Sequence, residues 1–291
     1  MVSGDQPRST APAVPDEGIH RADLPLVKTW LHNRSSNTVR AYRTNVAEFA
    51  RFVAKPMADV ALADIQAWND SMADAADSTR RRKISAVKSL LTYGHKLGFL
   101  PQDAGAAFRM ERGRDNLNER ILSRQQVLAM LAGEKDPRRH ALLALLYGTG
   151  LRISEACALR WRDMTRRQSG GIATVFGKGG KTRHVQVSPS LWKEIAAVRS
   201  DVGPDAPVIP GHDGGLLHER AVDRVVKRAA KRAGLPPDVS AHWLRHAFAS
   251  HQLDAGQPVH WVQAQLGHSS LATTTRYSHA SADAAGADLL A

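Results

Sequence analysis

Apolar residues recur every three or four positions in two long stretches of this chain, and a charged segment with almost no apolar residues, positions 109–120, separates them. Because such spacing places apolar side chains on one face of a helix, each stretch predicts a helical domain with its own core. The segment between them predicts an interdomain linker, although an ordinary surface loop has a similar composition. We therefore divide the chain into a lead (1–20), a first domain (21–108), a linker (109–120) and a second domain (121–291).

The first domain is predicted to be helical throughout. Serine and asparagine side chains at a helix start accept hydrogen bonds from backbone N–H groups, so Ser36 or Asn37 is expected to cap the second helix and Ser78 the fourth. Gly98 is expected to end the fourth helix, because glycine readily adopts the left-handed conformation that follows many helices. The four helices predicted from the apolar spacing cover residues 24–31, 36–53, 62–72 and 78–98.

The second domain is predicted to combine helices with a small sheet. Two short runs of β-type residues, 172–176 and 183–187, flank a glycine-rich turn and predict a hairpin. Ser123 is expected to cap the first helix of this domain. Further helices are predicted at residues 138–147, 153–161, 189–198, 219–233, 241–255, 258–266 and 270–277. The expected fold class is therefore mainly α with a small β-sheet.

The charge balance indicates what the chain binds. It has 40 Lys and Arg against 28 Asp and Glu, a formal net charge of +12. Such an excess indicates a polyanionic partner, most often nucleic acid, although many basic proteins bind no specific DNA. A role at a membrane surface would favour a basic amphipathic helix, and none stands out in the sequence. No apolar run is long enough to span a bilayer.

The single cysteine and the start of the chain limit the setting. Cys157 alone excludes an internal disulfide and a zinc site built on several thiolates. A reducing, cytoplasmic setting fits this, and packing is the expected role of Cys157 in its apolar helical pattern. Residues 1–17 are rich in Pro, Ser, Asp and Ala and lack the apolar centre of a signal peptide, so we expect a disordered lead.

Six residues suited to phosphate chemistry lie in four short motifs of the second domain, at 149–155, 177–181, 242–246 and 266–277. When an oxygen nucleophile adds to a phosphodiester, the negative charge rises from one to about two. Arginine stabilises such charge well, because its planar fork gives two hydrogen bonds and it stays protonated. The set can therefore hold a phosphodiester while a phenol attacks it. Its members are Arg152, Lys178, His242, Arg245, His268 and Tyr277.

The local sequence indicates how some of these side chains are placed. Arg152 follows a glycine-containing turn that enters a helix, and Glu155, three residues later, can brace it. His242 and Arg245 are three positions apart and therefore share one helix face, whereas His246 is expected to face elsewhere. Any single arginine of this kind is ordinarily a solvated surface group, so the prediction depends on the combination.

The nucleophile and the proton donor need particular surroundings. Tyr277 can be an ordinary packing residue, and His268 can be an ordinary structural histidine in a turn. A free phenol has a pKa of about 10, so attack requires a proton acceptor and nearby cations, which the histidines and arginines can supply. Lys178 lies in the hairpin turn and can donate a proton to the leaving 5′-oxygen, with Lys181 as a nearby competitor.

Two other interpretations of the motifs fail. His242 and His246 have the i, i+4 spacing of a zinc site, but Trp243 stands where that motif has glutamate. The Gly-Gly-Lys-Thr sequence at 179–182 suggests a nucleotide-binding loop, but Val175 stands where that loop needs glycine, and a strand rather than a helix follows. No metal site is expected.

In this order and spacing the four motifs resemble those of the tyrosine recombinase family, which includes lambda-integrase-like and Xer-like enzymes. The resemblance extends from about Leu24 to Tyr277. It implies an N-terminal SAM-like helical domain that binds the core DNA site and a C-terminal catalytic domain, the two closing around DNA as a clamp. No arm-site domain is expected before Leu24, which would favour a simple recombinase. Relatives often carry proline where Gln186 stands, a departure that touches none of the six residues.

The resemblance also implies the activity. Tyr277 would be the nucleophile and the other five residues the phosphate pocket of an enzyme that cuts and rejoins DNA site-specifically through a 3′-phosphotyrosyl link. Four protomers would act on two sites and exchange strands through a Holliday junction. Because the link conserves the bond energy, no ATP, metal or other cofactor is required. The expected partners are double-stranded DNA with a specific core site and further protomers, either copies of this chain or a related recombinase.

Other expectations concern DNA contacts and the tail. The basic start of the fourth helix can contact DNA phosphates, with a solvated helix end as the alternative. The residues after His279, including Leu289 and Leu290, can dock on a neighbouring protomer or form a frayed tail. The candidate DNA-binding residues are Arg80, Arg81, Arg82, Lys83 and Lys88, together with Lys181 in the hairpin turn.

Two further functions stay open from sequence alone. A type IB topoisomerase-like enzyme would share the chemistry but relax supercoils without joining two sites. A catalytically silent DNA-binding regulator would bind DNA without needing a complete catalytic set.

Overall fold

The structure, a computed structural model, describes residues 18–110, 117–177, 181–199, 203–268, 270–275 and 277. Its backbone divides into two compact units, Met1–Arg114 and Asp115–Ala291. Several sequence predictions concern residues outside the described ranges. These are the disordered lead up to residue 17, the centre of the linker, Lys178, and the tail that contains Leu289 and Leu290.

The described part of the first unit is helical, as predicted. Its α-helices are α1 (Leu24–Leu31), α2 (Ser36–Val53), α3 (Leu62–Asp70), α4 (Asp77–Lys96) and α5 (Ala104–Ala107). The bounds of the first four agree with the prediction to within two residues. The short α5 was not predicted, because its Ala-Gly-Ala-Ala sequence has no apolar period.

The predicted helix ends are partly wrong. Ser35, rather than Ser36 or Asn37, caps α2 and accepts a hydrogen bond from its first turn. Three polar residues in a row can each serve as a cap, and the backbone leaves the extended conformation one residue earlier than expected. Ser78 lies inside α4 and does not cap it. Gly98 follows the last turn of α4 with φ of +75°, which confirms its predicted role.

One apolar core holds the first unit together. The predicted stripe of α4 supplies Ile84, Val87, Leu90 and Leu91, each at most 1% exposed. Burying a large apolar side chain stabilises a fold by roughly 1.5–3 kcal/mol relative to leaving it exposed. This stripe therefore anchors α4 although its first turns are strongly basic. The stripe packs in one cluster with Trp30, Phe49 and Ile65 from the other helices.

The second unit surrounds a small sheet with helices, which confirms the predicted fold class. Its described strands are β1 (Met164–Arg167), β2 (Gly170–Phe176) and β3 (Thr182–Val187). Its described helices are α6 (Arg124–Ala132), α7 (Pro137–Thr149), α8 (Ile153–Ala158), α9 (Pro189–Ala197), α10 (Glu219–Arg232), α11 (Ala241–Asp254), α12 (Val259–Leu266) and α13 (Leu271–Thr275). Ser123 caps α6 as predicted, with Gln126 completing a capping box.

The sheet is antiparallel in the order β1-β2-β3. The β2–β3 hairpin was predicted, and its register places Ala173 opposite Val185. The strand β1 was missed, because Met-Thr-Arg-Arg shows no apolar alternation and forms a strand only by pairing with β2. Helix α8 is shorter than predicted and ends at Ala158. The chain turns there so that Arg160 pairs with Pro207.

Helix α10 is a basic amphipathic helix, although none stood out in the sequence. Its inner face is buried through Val222, Val226, Ala229 and Ala230. Because charged residues stand between these apolar positions along the sequence, this face becomes evident only when positions are projected around the helix. The outward face is exposed and basic, with Arg220, Arg224, Lys227, Arg228, Lys231 and Arg232.

Cys157 is partly buried and packs against the core of the second unit. Burial, with a smaller contribution from Glu219, raises the pKa of its thiol to about 11, which fits a packing role. In the ranges that the structure describes, no helix is both long enough and apolar enough to cross a membrane.

Candidate active site

A tight turn between α7 and α8 positions Arg152. Gly150 ends α7 with φ of +63°. A Cβ atom there would come within 2.6 Å of Phe248 and 2.7 Å of Leu266, so both the conformation and the close packing require glycine. Arg152 follows as the N-cap residue of α8. Its side chain remains 40% exposed, and can therefore reach a bound ligand.

Glu155 connects this turn to the sheet. Its carboxylate accepts hydrogen bonds from the backbone N–H and the Nη1 of Arg152 at 2.8 and 3.0 Å, which confirms the predicted brace. It also accepts two from Arg183 on β3, at 2.7 and 2.8 Å. Burial alone would raise the pKa of Glu155, but the bonds from Arg183 and Arg152 outweigh it and lower the pKa to about 2. Glu155 therefore stays ionised and fixes two guanidiniums.

Arg183 is a site residue that the sequence interpretation missed. Besides its bidentate pair with Glu155, its Nε donates to the carbonyl of Gln265 at the end of α12, at 2.9 Å. A signal was present, because Arg183 shares its strand face with the buried Val185 and Val187. An arginine on an inward face requires a buried acceptor, and Glu155 is that acceptor.

A second bond joins the same strand to α12. The backbone N–H of Gln186 donates to the side-chain oxygen of Gln265 at 2.9 Å. Proline at this position would have no N–H to donate. Glutamine at position 186 therefore permits a hydrogen bond between β3 and α12, close to the bond made by Arg183.

Arg245 lies at the centre of the pocket and is only 5% exposed. Its two terminal nitrogens donate to the carbonyls of Gly150 and Leu266, at 2.5 and 2.7 Å. Burial, together with the positive charge of Arg152, lowers the pKa of Arg245 to about 10, so it remains a cation at neutral pH. A guanidinium has five N–H groups, and three remain for a ligand after these two bonds.

His242 and His268 stand near the same cations. Desolvation, followed by the charges of Arg245 and Arg152, lowers the pKa of His242, although much of its surface is exposed. The same causes lower the pKa of His268 to about 4. His268 is held by a contact of 2.9 Å between its Nδ1 and the hydroxyl of Thr274. At neutral pH it is therefore a neutral imidazole that can donate one hydrogen bond and accept another.

Tyr277 is inside this pocket and only 3% exposed. Its hydroxyl lies 2.7 Å from the Nδ1 of His246, and its ring stacks on that of His268 with centroids 6.4 Å apart. The phenol also lies within electrostatic reach of Arg245. The prediction that His246 faces elsewhere is therefore wrong. Positions three and four residues after His242 both belong to its helix face, so α11 presents all three side chains together.

The structure thus brings together five of the six predicted residues. Arg152, Arg245, His242 and His268 influence one another electrostatically, and Tyr277 contacts the ring of His268. Lys178 lies outside the described residues, but both ends of its turn are described. The N–H of Gly177 donates to the carbonyl of Lys181 at 2.8 Å, and Lys181 itself is exposed.

The other candidate DNA contacts belong to the first unit. Asp77 binds Arg80 at 3.0 Å and Arg81 at 2.7 Å, while Glu48 binds Lys83. Lys88 donates to the carbonyl of Phe108. Arg82 is exposed to solvent. Most of this basic run therefore already has internal acceptors, which reduces the charge it offers to DNA.

Within the part of the chain that the structure describes, no group of three or more His, Cys, Asp or Glu side chains is arranged to hold a metal ion.

Comparison with known families decides the classification. The profile of the phage integrase family matches residues 120–283, and the profile of the phage integrase N-terminal SAM-like domain matches residues 30–96. The chain belongs to the phage integrase family. It is 35% identical over 257 residues to tyrosine recombinase XerC of Xanthomonas campestris, covering 84% of this chain and 79% of that protein. It is 32% identical to tyrosine recombinase XerC of Brucella suis, covering 89% and 91%.

Solved structures agree with this fold at low sequence identity. The XerH site-specific recombinase bound to difH substrate has 21% identity and a TM-score of 0.66, covering 87% of this chain and 79% of that one. A lambda integrase dimer bound to a COC′ core site has 18% identity and a TM-score of 0.68, covering 88% and 96%.

These findings confirm a tyrosine recombinase of Xer type, that is, a site-specific recombinase. They give no support to the topoisomerase alternative.

Proposed function

We propose that Tyr277 of this recombinase attacks the scissile phosphate and becomes covalently joined to the DNA strand. The bond that forms joins its Oη to phosphorus, and the bond that breaks joins phosphorus to the 5′-oxygen. The products are a 3′-phosphotyrosyl link and a free 5′-hydroxyl. The observation that supports this assignment is the buried phenol, held by His246 and stacked on His268 beside Arg245.

The two arginines of the pocket would stabilise the charge that develops. Arg245 offers three N–H groups from a fixed position, and Arg152 offers an exposed guanidinium braced by Glu155. Donors that are already oriented stabilise a developing charge without reorganising during the reaction. His242 and the neutral His268 would donate further hydrogen bonds to the non-bridging oxygens. Lys178 would protonate the leaving 5′-oxygen.

The partners proposed for this chain are DNA and further protomers. One solved relative is described as bound to its difH substrate and another as a dimer on a core site, and both share this fold. We infer that this chain likewise binds a specific core site in double-stranded DNA. Four protomers, copies of this chain or of a related recombinase, would exchange strands between two sites through a Holliday junction. The tail with Leu289 and Leu290 would dock on a neighbour.

The direct test is to map the covalent link. The wild-type protein is incubated with its recognition DNA, nicked close to the cleavage position so that the released fragment diffuses away. We expect an adduct that survives denaturation, and peptide mass mapping should place the nucleotide on Tyr277. An adduct on any other residue, or none on the genuine site, would contradict the proposal.

The exposed basic face of α10 is proposed as the main phosphate-contacting surface outside the pocket. Replacing the exposed Arg224, Arg228 and Lys231 by alanine should weaken binding to cognate and random DNA similarly. Each phosphate contact contributes about 0.9 to the slope of log affinity against log salt, so the slope should fall by roughly 2–3. Fluorescence anisotropy over a salt series measures both quantities.

Two matched triple variants make this test specific. Neutralising the exposed Arg162, Arg166 and Arg167 removes the same formal charge elsewhere on the second unit. It should change the slope little, because Arg162 already binds Asp205 and Arg166 stacks on Trp192. Neutralising Arg80, Arg81 and Arg82 should give a smaller, sequence-independent loss, because Asp77 already binds two of them. An unchanged slope in the α10 variant, or a loss confined to one base position, would refute the assignment.

A further inference from the structure

Helix α11 carries two histidines that contact tyrosine hydroxyls in the same way. The Nδ1 of His246 lies 2.7 Å from the hydroxyl of Tyr277, and the Nδ1 of His251 lies 2.9 Å from that of Tyr147. The second pair lies in the interior, where Arg124 also donates to the carbonyl of His251. The first pair lies in the pocket that contains Arg245. The same histidine–tyrosine contact therefore occurs twice on this helix, once away from the pocket and once at the oxygen that is proposed to attack DNA.

The surroundings of His246 indicate what its contact can do. Among the described residues, its own helix presents His242 and Arg245, with the His242 ring centred 6.4 Å away. The other charged and titratable groups of the pocket are Arg152 and Glu155 at α8, Arg183 on β3, and His268 and Tyr277 after α12. Cations outnumber the single carboxylate, so before substrate binds the pocket disfavours an additional positive charge.

A bound phosphodiester changes this balance. It adds one negative charge, and the transition state about one more, so a proton gained by a nearby imidazole becomes favourable at the moment of attack. The phenol must lose its proton as its oxygen bonds to phosphorus. His246 places its Nδ1 at hydrogen-bonding distance, 2.7 Å, from that oxygen.

We propose that His246 is a catalytic residue that accepts the proton of Tyr277 during strand cleavage. The inference rests on the proposed role of Tyr277 as nucleophile. As the Oη–phosphorus bond forms, the Oη–H bond breaks and the proton passes to Nδ1 of His246, while the 5′-oxygen leaves with a proton from the pocket's donor. When the strand is rejoined, the 5′-hydroxyl attacks phosphorus and gives its proton back to the pocket's donor. The Oη–phosphorus bond breaks, and His246 returns its proton to the departing phenolate.

The test uses His246→Gln, which keeps a polar side chain but cannot accept a proton at neutral pH. Single-turnover cleavage of nicked DNA should fall by about 10²–10⁴. The wild-type rate should change little between about pH 7 and pH 9, whereas the variant's rate should rise about tenfold per pH unit as hydroxide replaces the imidazole. A substrate with sulfur at the bridging 5′ position should not restore cleavage by the variant. The missing proton transfer concerns the attacking oxygen and not the leaving one.

His251→Gln is the matched control, since it alters the equivalent contact on the same helix outside the pocket. This variant should cleave DNA at the wild-type rate. Its thermal stability is measured first, so that the rates of folded proteins are compared. If His246→Gln does not fold, His246→Asn replaces it. Cleavage within about threefold of wild type, or an equal loss at every pH, would overturn the proposal. Adduct mapping on the wild-type protein tests Tyr277 separately, so failure of one assignment can be distinguished from failure of the other.

Discussion

Replacing Tyr277 by phenylalanine should abolish the covalent protein–DNA adduct while DNA affinity stays within about twofold of wild type. Phenylalanine retains the ring that stacks on His268 but lacks the nucleophilic oxygen. Removing a nucleophile from a pre-assembled site typically lowers the rate by orders of magnitude, here more than about 10⁴-fold. Denaturing gels of nicked-DNA reactions measure the adduct, and anisotropy measures binding.

Stability should change little in the same variant. The lost hydroxyl leaves the Nδ1 of His246 without this hydrogen bond, which costs about 1 kcal/mol. A small fall in melting temperature is therefore expected, and activity should be compared well below it. Loss of DNA binding together with the adduct would show that Tyr277 has a structural role and would favour the regulator alternative. A persistent adduct would place the nucleophile elsewhere.

Much of the fold followed from local patterns. Apolar stripes gave the first four helices of the first unit to within two residues, because each stripe is contained in the segment that it describes. The features that were missed depend on partners distant in sequence. The strand β1 exists only because it pairs with β2, and α8 ends early because Arg160 turns to pair with Pro207. In both cases the pairing partner lies outside the segment from which the prediction was made.

The site divides in the same way. Residue types and spacing were sufficient to select Arg152, Arg245 and Tyr277, because phosphate chemistry needs few kinds of side chain. The supporting contacts were not predictable locally. Arg183 reaches Glu155 across 28 positions, and Tyr277 reaches His246 across 31. Helix geometry allows His246 to share the face of His242. Only its contact with Tyr277 shows that the His246 side chain belongs to the pocket.

The charge of the pocket explains how these parts act together. Arg152, Arg183 and Arg245 face one carboxylate, Glu155, whose pKa of about 2 keeps it ionised. Burial, followed by the charges of Arg245 and Arg152, lowers the pKa of His268 to about 4 and keeps that imidazole neutral. A bound phosphate supplies the missing negative charge. The free site is therefore organised by internal acceptors and left with donors directed at an anion.

Arg245→Lys should lower single-turnover cleavage by at least about 10³-fold. The buried guanidinium bonds the carbonyls of Gly150 and Leu266 and still has three N–H groups for phosphate. A lysine ammonium has three donors on one atom and cannot bridge both carbonyls and a phosphate at once. Removing one preorganised donor typically costs about 10²–10³ in rate, and here more than one is lost. Rates should be measured at saturating enzyme.

The same substitution should also destabilise the second unit by roughly 2–4 kcal/mol, because hydrogen bonds to charged groups contribute about 1.5–3 kcal/mol each. Urea unfolding measures this. Arg124→Lys is a suitable control, since Arg124 also donates to a carbonyl of α11 but outside the pocket. It should lose some stability and keep its cleavage rate.

Arg152→Lys separates the two effects. Its side chain is 40% exposed and contributes one side-chain bond to Glu155, which Arg183 holds independently. We therefore expect cleavage to fall strongly while stability changes by less than about 1 kcal/mol. Arg245 joins the turn that ends α7 to the turn that ends α12, so only its replacement should lower both quantities together. Equal stability losses in the two variants, or cleavage by folded Arg245→Lys within about tenfold of wild type, would show that the guanidinium does not organise the pocket.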